Sequence, residues 1–168
     1  MQRAAANVAA AKEELERLTT RVKPAMIAAK QTYWADQADI QIKIIESWIA
    51  KAEGDNGRAL QLARAAAKHE DSTEKHVVTP GPILPARELL GDLLMEIGQP
   101  AAALKEYEAS IAKEPNRFRG LYSAARAAEA SGNTAKARAW YDKFAQVAVQ
   151  ADANVAQVQH AKTFLARR

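Results

Sequence analysis

Leu90-Gly91-Asp92-Leu93-Leu94-Met95-Glu96-Ile97-Gly98 is followed 34 residues on by Ala124-Ala125-Arg126-Ala127-Ala128-Glu129-Ala130-Ser131-Gly132, and these two stretches decide the fold. The offset continues beyond them: Ala103 falls on Ala137 and Tyr107 on Tyr141. Pro115 closes the first unit 17 residues after Gly98. A period of this length belongs to a helix–turn–helix unit that cannot bury its apolar face alone and stacks on copies of itself. Within it the spacing predicts paired helices over Ala86–Ile97 and Ala101–Lys113, then over Arg117–Ala130 and Thr134–Val149. Leu89, Leu90, Leu93, Leu94 and Ile97 mark one core side, Gly98 and Gly132 end the first helix of each pair, and Pro100 opens a second.

Upstream the copies degrade. Val8, Ala11, Leu15, Leu18 and Val22 form one apolar seam, with Glu13, Glu14, Glu16 and Arg17 between them. Pro24 either ends that helix or opens the next. Ala25–Ala52 reads as helix, with Trp34, Ile42, Ile45, Trp48 and Ile49 near one side and room for a break near Asp36–Asp39. Glu53-Gly54-Asp55-Asn56-Gly57 stops it, and Arg58–Lys68 reads as a short alanine-rich helix. Gly54 stands where Gly98 and Gly132 stand, and Ala59 and Ala63 follow it at the spacing of Ala103 and Tyr107.

The step from Gly54 to Gly98 is ten residues too long. The excess lies in His69–Pro85, where three of the six prolines fall within six residues and predict an extended loop. Ile83 or Leu84 is expected to be buried between the degenerate unit and the first clean one, because each gains about 1.5–3 kcal/mol on leaving water. A last amphipathic helix, Ala153–Ala166, aligns Val155, Val158 and Leu165 and suits a stack's terminal cap.

Bulk properties agree with helices packed through small residues. The chain has 168 residues, 48% of them apolar but only 6% aromatic. It has no cysteine, which excludes disulfides and every thiolate site. No stretch approaches the roughly 18 apolar residues of a membrane helix. Met1-Gln2-Arg3 and the alanines after it imitate a signal peptide faintly, but they run straight into Lys12-Glu13-Glu14 and read as helix. The formal charge of +4 is uneven, with −2 over residues 1–112 and +6 over 113–168. That basic end suits a solvated outer face, or else nucleic acid or an acidic partner.

These residues resemble the tetratricopeptide repeat family. The likeness rests on Leu90-Gly91, Gly98, Ala103, Tyr107 and Pro115, and again on Ala124-Ala125, Gly132, Ala137 and Tyr141, with Val149 in place of the proline. It is specific over 84–149, weaker over 40–68, and absent over 1–24. It implies an all-α, right-handed α-solenoid of antiparallel helix hairpins. The organisation expected is an N-terminal helix over 1–24, a degenerate hairpin over 25–68, a proline-rich loop over 69–85, two hairpins over 86–150 and a capping helix over 151–168. Lys75-His76-Val77-Val78-Thr79-Pro80-Gly81-Pro82, with Pro85-Ala86-Arg87-Glu88 and Pro115-Asn116-Arg117-Phe118, is similar to the C-terminal third of larger bacterial members. Many of those are exported, so the narrower likeness implies a fragment whose targeting signal lies elsewhere.

Catalytic signatures are missing. Gly54-Asp55-Asn56-Gly57 lacks the lysine and the strand context of a phosphate loop, and no serine or threonine has a histidine and an acid at motif spacing. His69 and His76 flank Glu70, Asp71 and Glu74, ligand types suited to zinc, copper or nickel, but without a metal-site spacing. No metal and no cofactor is assigned. His160 reads as a partly exposed helix residue.

The family resemblance puts the first helix of each hairpin on the concave surface. It implies a protein or peptide partner met by Ile44 and Trp48, by Glu88, Asp92 and Glu96, and by Arg119, Tyr122 and Arg126. Members that clamp a terminal carboxylate use lysine and asparagine on the innermost turns, which these positions lack. Internal salt bridges are the alternative reading of the same residues. Nucleic acid is an alternative partner, through Arg117, Arg119, Arg126, Lys136, Arg138 and Lys143 with Phe118 and Tyr122 stacking on bases, and metal sensing through the His69–His76 loop is a third reading.

Overall fold

A computed structural model describes residues 2–74, 82–152 and 154–167. Among them there are helices and turns and no strand. The chain divides into two compact units, Met1–Leu90 and Gly91–Arg168.

In the first unit, α1 (Gln2–Arg17) winds through a π turn (Leu18–Val22) into α2 (Lys23–Ala28). Pro24 explains the turn. It has no amide hydrogen, and its ring collides with the carbonyl four residues back, so the ladder widens until the Lys23 amide reaches Leu18 O. The hydroxyls of Thr19 and Thr20 donate to Leu15 O and Glu16 O at 2.7 and 2.8 Å and help hold the widened stretch. Pro24 thus opens α2 rather than ending the helix before it.

The break predicted near Asp36–Asp39 lies instead at Ala29–Gln31, before α3 (Thr32–Ala52). Lys30 turns left-handed there, with φ 56°, and Gln31 N donates to Met26 O at 2.9 Å. Gly54, Gly98 and Gly132 close their helices in the same way. After each of them the next amide reaches back five residues, as Gln99 N does to Leu94 O at 2.8 Å.

Helix α3 packs on α4 (Asn56–Ser72), which Asp55 caps by accepting from Arg58 N at 2.9 Å. Ile40, Ile42, Ile44 and Ile49 supply bulk on α3, and Ala59, Ala63, Ala66 and Ala67 keep α4 slim. Helix α4 runs four residues past its predicted end at Lys68, so His69, Glu70 and Asp71 belong to its last turns and not to a loop. Their carboxylates explain the extension. Glu70 accepts from the Ala86 amide at 2.8 Å, at the start of α5 (Ala86–Glu96), and Arg87 Nε donates to Asp71 at 2.9 Å. Pro85 and Ala86 are buried, while Ile83 is 95% exposed and Leu84 only half-buried, so neither of the two residues expected to be buried here is. His76 and Thr79–Gly81 lie outside the described residues.

The second unit continues α5 into α6 (Pro100–Lys113), α7 (Phe118–Ala130), α8 (Thr134–Val147) and α9 (Ala156–Ala166). Asn133 caps α8 through Lys136 N at 3.1 Å. Consecutive helices from α6 onward pack on one another. Gly91 shows why the repeat needs a small residue: a Cβ there would stand 2.5 Å from Tyr107 Cε1. Ala125, at the equivalent place, is fully buried. Helix α9 begins at Ala156, three residues after the predicted start. It buries Val158, Ala161 and Phe164 rather than Val155 and Leu165, with the Phe164 ring 4.8 Å from that of Tyr141.

Candidate functional site

Helix α7 carries the cluster of expected contact residues. Arg119, Tyr122 and Arg126 stand three and four residues apart and share one side of the helix. Arg119 Nη2 donates to Asp92 Oδ2 at 2.5 Å, and the Tyr107 hydroxyl donates to Asp92 Oδ1 at 2.7 Å. One carboxylate on α5 therefore positions both a phenol from α6 and a guanidinium from α7. Burial, and after it the charge of Asp92, pushes the Tyr107 phenol far above its ordinary range.

A second network joins α7 to α8 and α9. Glu129 Oε2 accepts from Arg126 Nη1 at 3.0 Å and from the Tyr141 hydroxyl at 2.7 Å, and His160 Nε2 lies 3.6 Å away. The Tyr122 hydroxyl is 3.0 Å from His160 Nδ1. Burial alone would raise the Glu129 carboxyl, but the Tyr141 hydroxyl, His160 and Arg126 together hold it below its ordinary value. Burial raises the Tyr122 phenol, with Arg126 opposing. Burial and the bond to Glu129 likewise push Tyr141 far upward. The Tyr122 ring packs against Phe144 at 5.4 Å and lies edge-on to Tyr141 at 6.2 Å.

Other expected contacts fall elsewhere. Ile44 is 5% exposed because its side of α3 is the one that carries Ile40 inward. Glu88 is fully buried in the first turn of α5, where a carboxylate complements the helix's positive end. Neither lies on an open surface, so both leave the set of residues a partner could meet. Trp48, in the first unit, is half-buried with Lys51 Nζ 5.9 Å from its ring centroid, and Glu96 is exposed.

The sequence reading missed Glu129, Tyr141 and His160 as partners of the stripe. The step from Arg126 to Glu129 was a legible signal. The contacts to Tyr141 and His160 are long-range and had none.

The groups suggested for other chemistry serve internal partners. His69 lies 3.3 Å from Asp39 and 3.6 Å from Asp36. Among the described residues no three metal-binding side chains converge. Lys136 pairs with Glu108 at 2.7 Å, Arg138 donates to Leu165 O and Arg167 O, and Lys143 lies 4.5 Å over the Trp140 ring. Phe118 is occupied by Phe144, their centroids 4.7 Å apart. No described helix is long and apolar enough to cross a membrane.

The helical pairs, their glycine-ended turns and the glycine-on-tyrosine contact define a tetratricopeptide-like helical-repeat fold. Four chains of solved structures match it. One is PcrH from Pseudomonas aeruginosa, 16% identical, with a TM-score of 0.56 over 75% of this chain and 88% of PcrH. At that identity the likeness is one of fold. No family model matches the sequence, and no curated protein does.

Proposed function

We propose that this chain is a non-enzymatic protein-binding scaffold that docks a peptide or short helix along α7. One observation carries the reading: Arg119, Tyr122 and Arg126 are each fixed by an internal partner and each remain partly open. The side chains of Arg119 and Arg126 keep 43% and 42% of their exposure while ion-paired. A guanidinium held in place loses little freedom on meeting a backbone carbonyl or a carboxylate, so less of the binding energy is lost to ordering it. Tyr122 adds a rigid aromatic surface between them. Asp92, which holds Arg119, and the exposed Glu96 on α5 supply acidic contacts, and Trp48 offers a separate aromatic anchor on the first unit.

A random peptide library panned against the chain tests this. Enriched peptides should weaken about tenfold or more toward Arg126→Ala or Arg119→Ala, while the melting curve moves little. Absence of enrichment, or binding indifferent to both substitutions, contradicts the reading.

A further inference from the structure

His160 of α9 meets side chains of two other helices, and they assign the tautomer of its ring. From α7, Glu129 Oε2 lies 3.6 Å from Nε2 and the Tyr122 hydroxyl 3.0 Å from Nδ1. From α8, the Tyr141 hydroxyl lies 3.4 Å from Nδ1, but its one proton goes to Glu129 at 2.7 Å. A carboxylate only accepts, so the neutral ring carries its proton on Nε2, toward Glu129. Nδ1 is then bare and accepts from the Tyr122 hydroxyl, which leaves that oxygen's lone pairs for the open side of α7. The other charged groups around the ring are engaged or turned elsewhere. Arg126 donates to Glu129 at 3.0 Å, and Arg138 of α8 donates to Leu165 O and Arg167 O. On α9 itself, Lys162 is exposed two residues on, a spacing that faces another side of the helix.

We propose that His160 sets the hydrogen-bond polarity of the α7 docking surface, so that protonation of its ring turns that surface toward acidic, acceptor-rich peptides. This rests on the reading of α7 as a docking surface. The proton comes from solvent, which reaches a side chain that keeps 30% of its exposure. Histidine is the side chain that ordinarily changes charge between roughly pH 5 and 8. Once Nδ1 carries a proton it donates to the Tyr122 oxygen, and the phenol's own proton is released toward a docked chain. Tyr122 then becomes a third donor between Arg119 and Arg126. Burial holds the phenol above its ordinary range, so Tyr122 changes the direction of its proton and not its charge. Glu129, held below its ordinary value, stays ionised throughout. With a neutral ring Arg126 and Glu129 cancel, and with the imidazolium the three groups carry one net positive charge. An acidic peptide gains both a donor and an attractive field, whereas a basic one is repelled.

Magnetic resonance of the isotope-labelled chain tests the switch without any ligand. Neutral His160 should show the ring nitrogen shifts of the Nε2–H tautomer, and the Tyr122 Cζ resonance should titrate with the same midpoint as His160. The Nδ1–H tautomer, or a Tyr122 resonance that ignores the titration of His160, overturns the proposal. Panning random peptides at about pH 5.5 and about pH 7.5, within the range where histidine titrates, tests the consequence. Peptides selected at the lower pH should be richer in aspartate and glutamate. A labelled one should bind about three- to tenfold more tightly there than at the higher pH, the gain of one hydrogen bond. In His160→Gln the two affinities should become equal, and in Tyr122→Phe their ratio should shrink. A ratio untouched by both substitutions overturns the proposal. A peptide that depends on Arg119 and Arg126 yet binds the unsubstituted chain equally at both pH values overturns the switch and leaves the docking reading intact. No enrichment at either pH overturns the docking reading, and the switch with it.

Discussion

Tyr107 lies against the bare backbone of Gly91 and donates to Asp92 one residue further on. Two effects compete when Gly91 becomes alanine. Helix propensity gains about 0.5–1 kcal/mol. Against that, the new methyl carbon stands 2.5 Å from a buried ring, and overpacking costs typically about 1–3 kcal/mol. The clash wins, so Gly91→Ala should lower stability and Gly91→Leu should lower it further. Denaturant unfolding measures this, and an unchanged or raised midpoint would refute the close contact. Lys30 gives the opposite case. Its φ of 56° carries a side chain in the left-handed region, a strain of roughly 1–2 kcal/mol that glycine lacks. Lys30→Gly should therefore stabilise the chain slightly, net of glycine's greater unfolded entropy. Gly98→Ala, at φ 76° with open space around it, should destabilise through strain alone. Thermal melts of the two variants should move in opposite directions.

At the scale of elements, α7, α8 and α9 meet at Glu129. Its folded carboxyl titrates below the ordinary value of 4.5, so the stability it contributes is present above that pH. That contribution fades as pH falls from about 4.5 through the depressed folded value. Glu129→Gln should be less stable near neutral pH and should flatten this part of the acid limb. Parallel acid limbs in the two proteins would show that the network contributes no proton linkage.

Much of this level was legible in advance. Gly54, Gly98 and Gly132 announce three helix ends because glycine tolerates their left-handed φ, and the 34-residue offset places the helices around the latter two. The fourth such end was hidden, because a lysine in that conformation has no compositional mark. Helix α4 outruns its predicted end for a related reason: His69-Glu70-Asp71-Ser72 looks like loop until Ala86 and Arg87 supply partners for its acids. The site was legible in part. Spacing along α7 put Arg119, Tyr122 and Arg126 on one side. Nothing local could reveal that His160 faces Tyr122, or that Ile44 and Glu88 turn inward.

Across the whole chain the charge distribution has a structural meaning. The +6 of residues 113–168 suggests a field for polyanions, but several of those cations are matched within the protein. Arg119, Arg126 and Lys136 face carboxylates, Arg138 holds the end of α9, and Lys143 rests on an indole. Oriented donors of this kind recognise shape and hydrogen-bonding pattern more than bulk charge. The second unit keeps an exposed feature of its own, the stripe on α7. The most direct measurement is an amide chemical-shift map of the isotope-labelled chain on addition of a peptide enriched by panning. The largest changes should run along Arg119–Arg126. Changes that leave α7 untouched, or that are confined to Leu18–Gln41, would contradict docking on the α7 stripe.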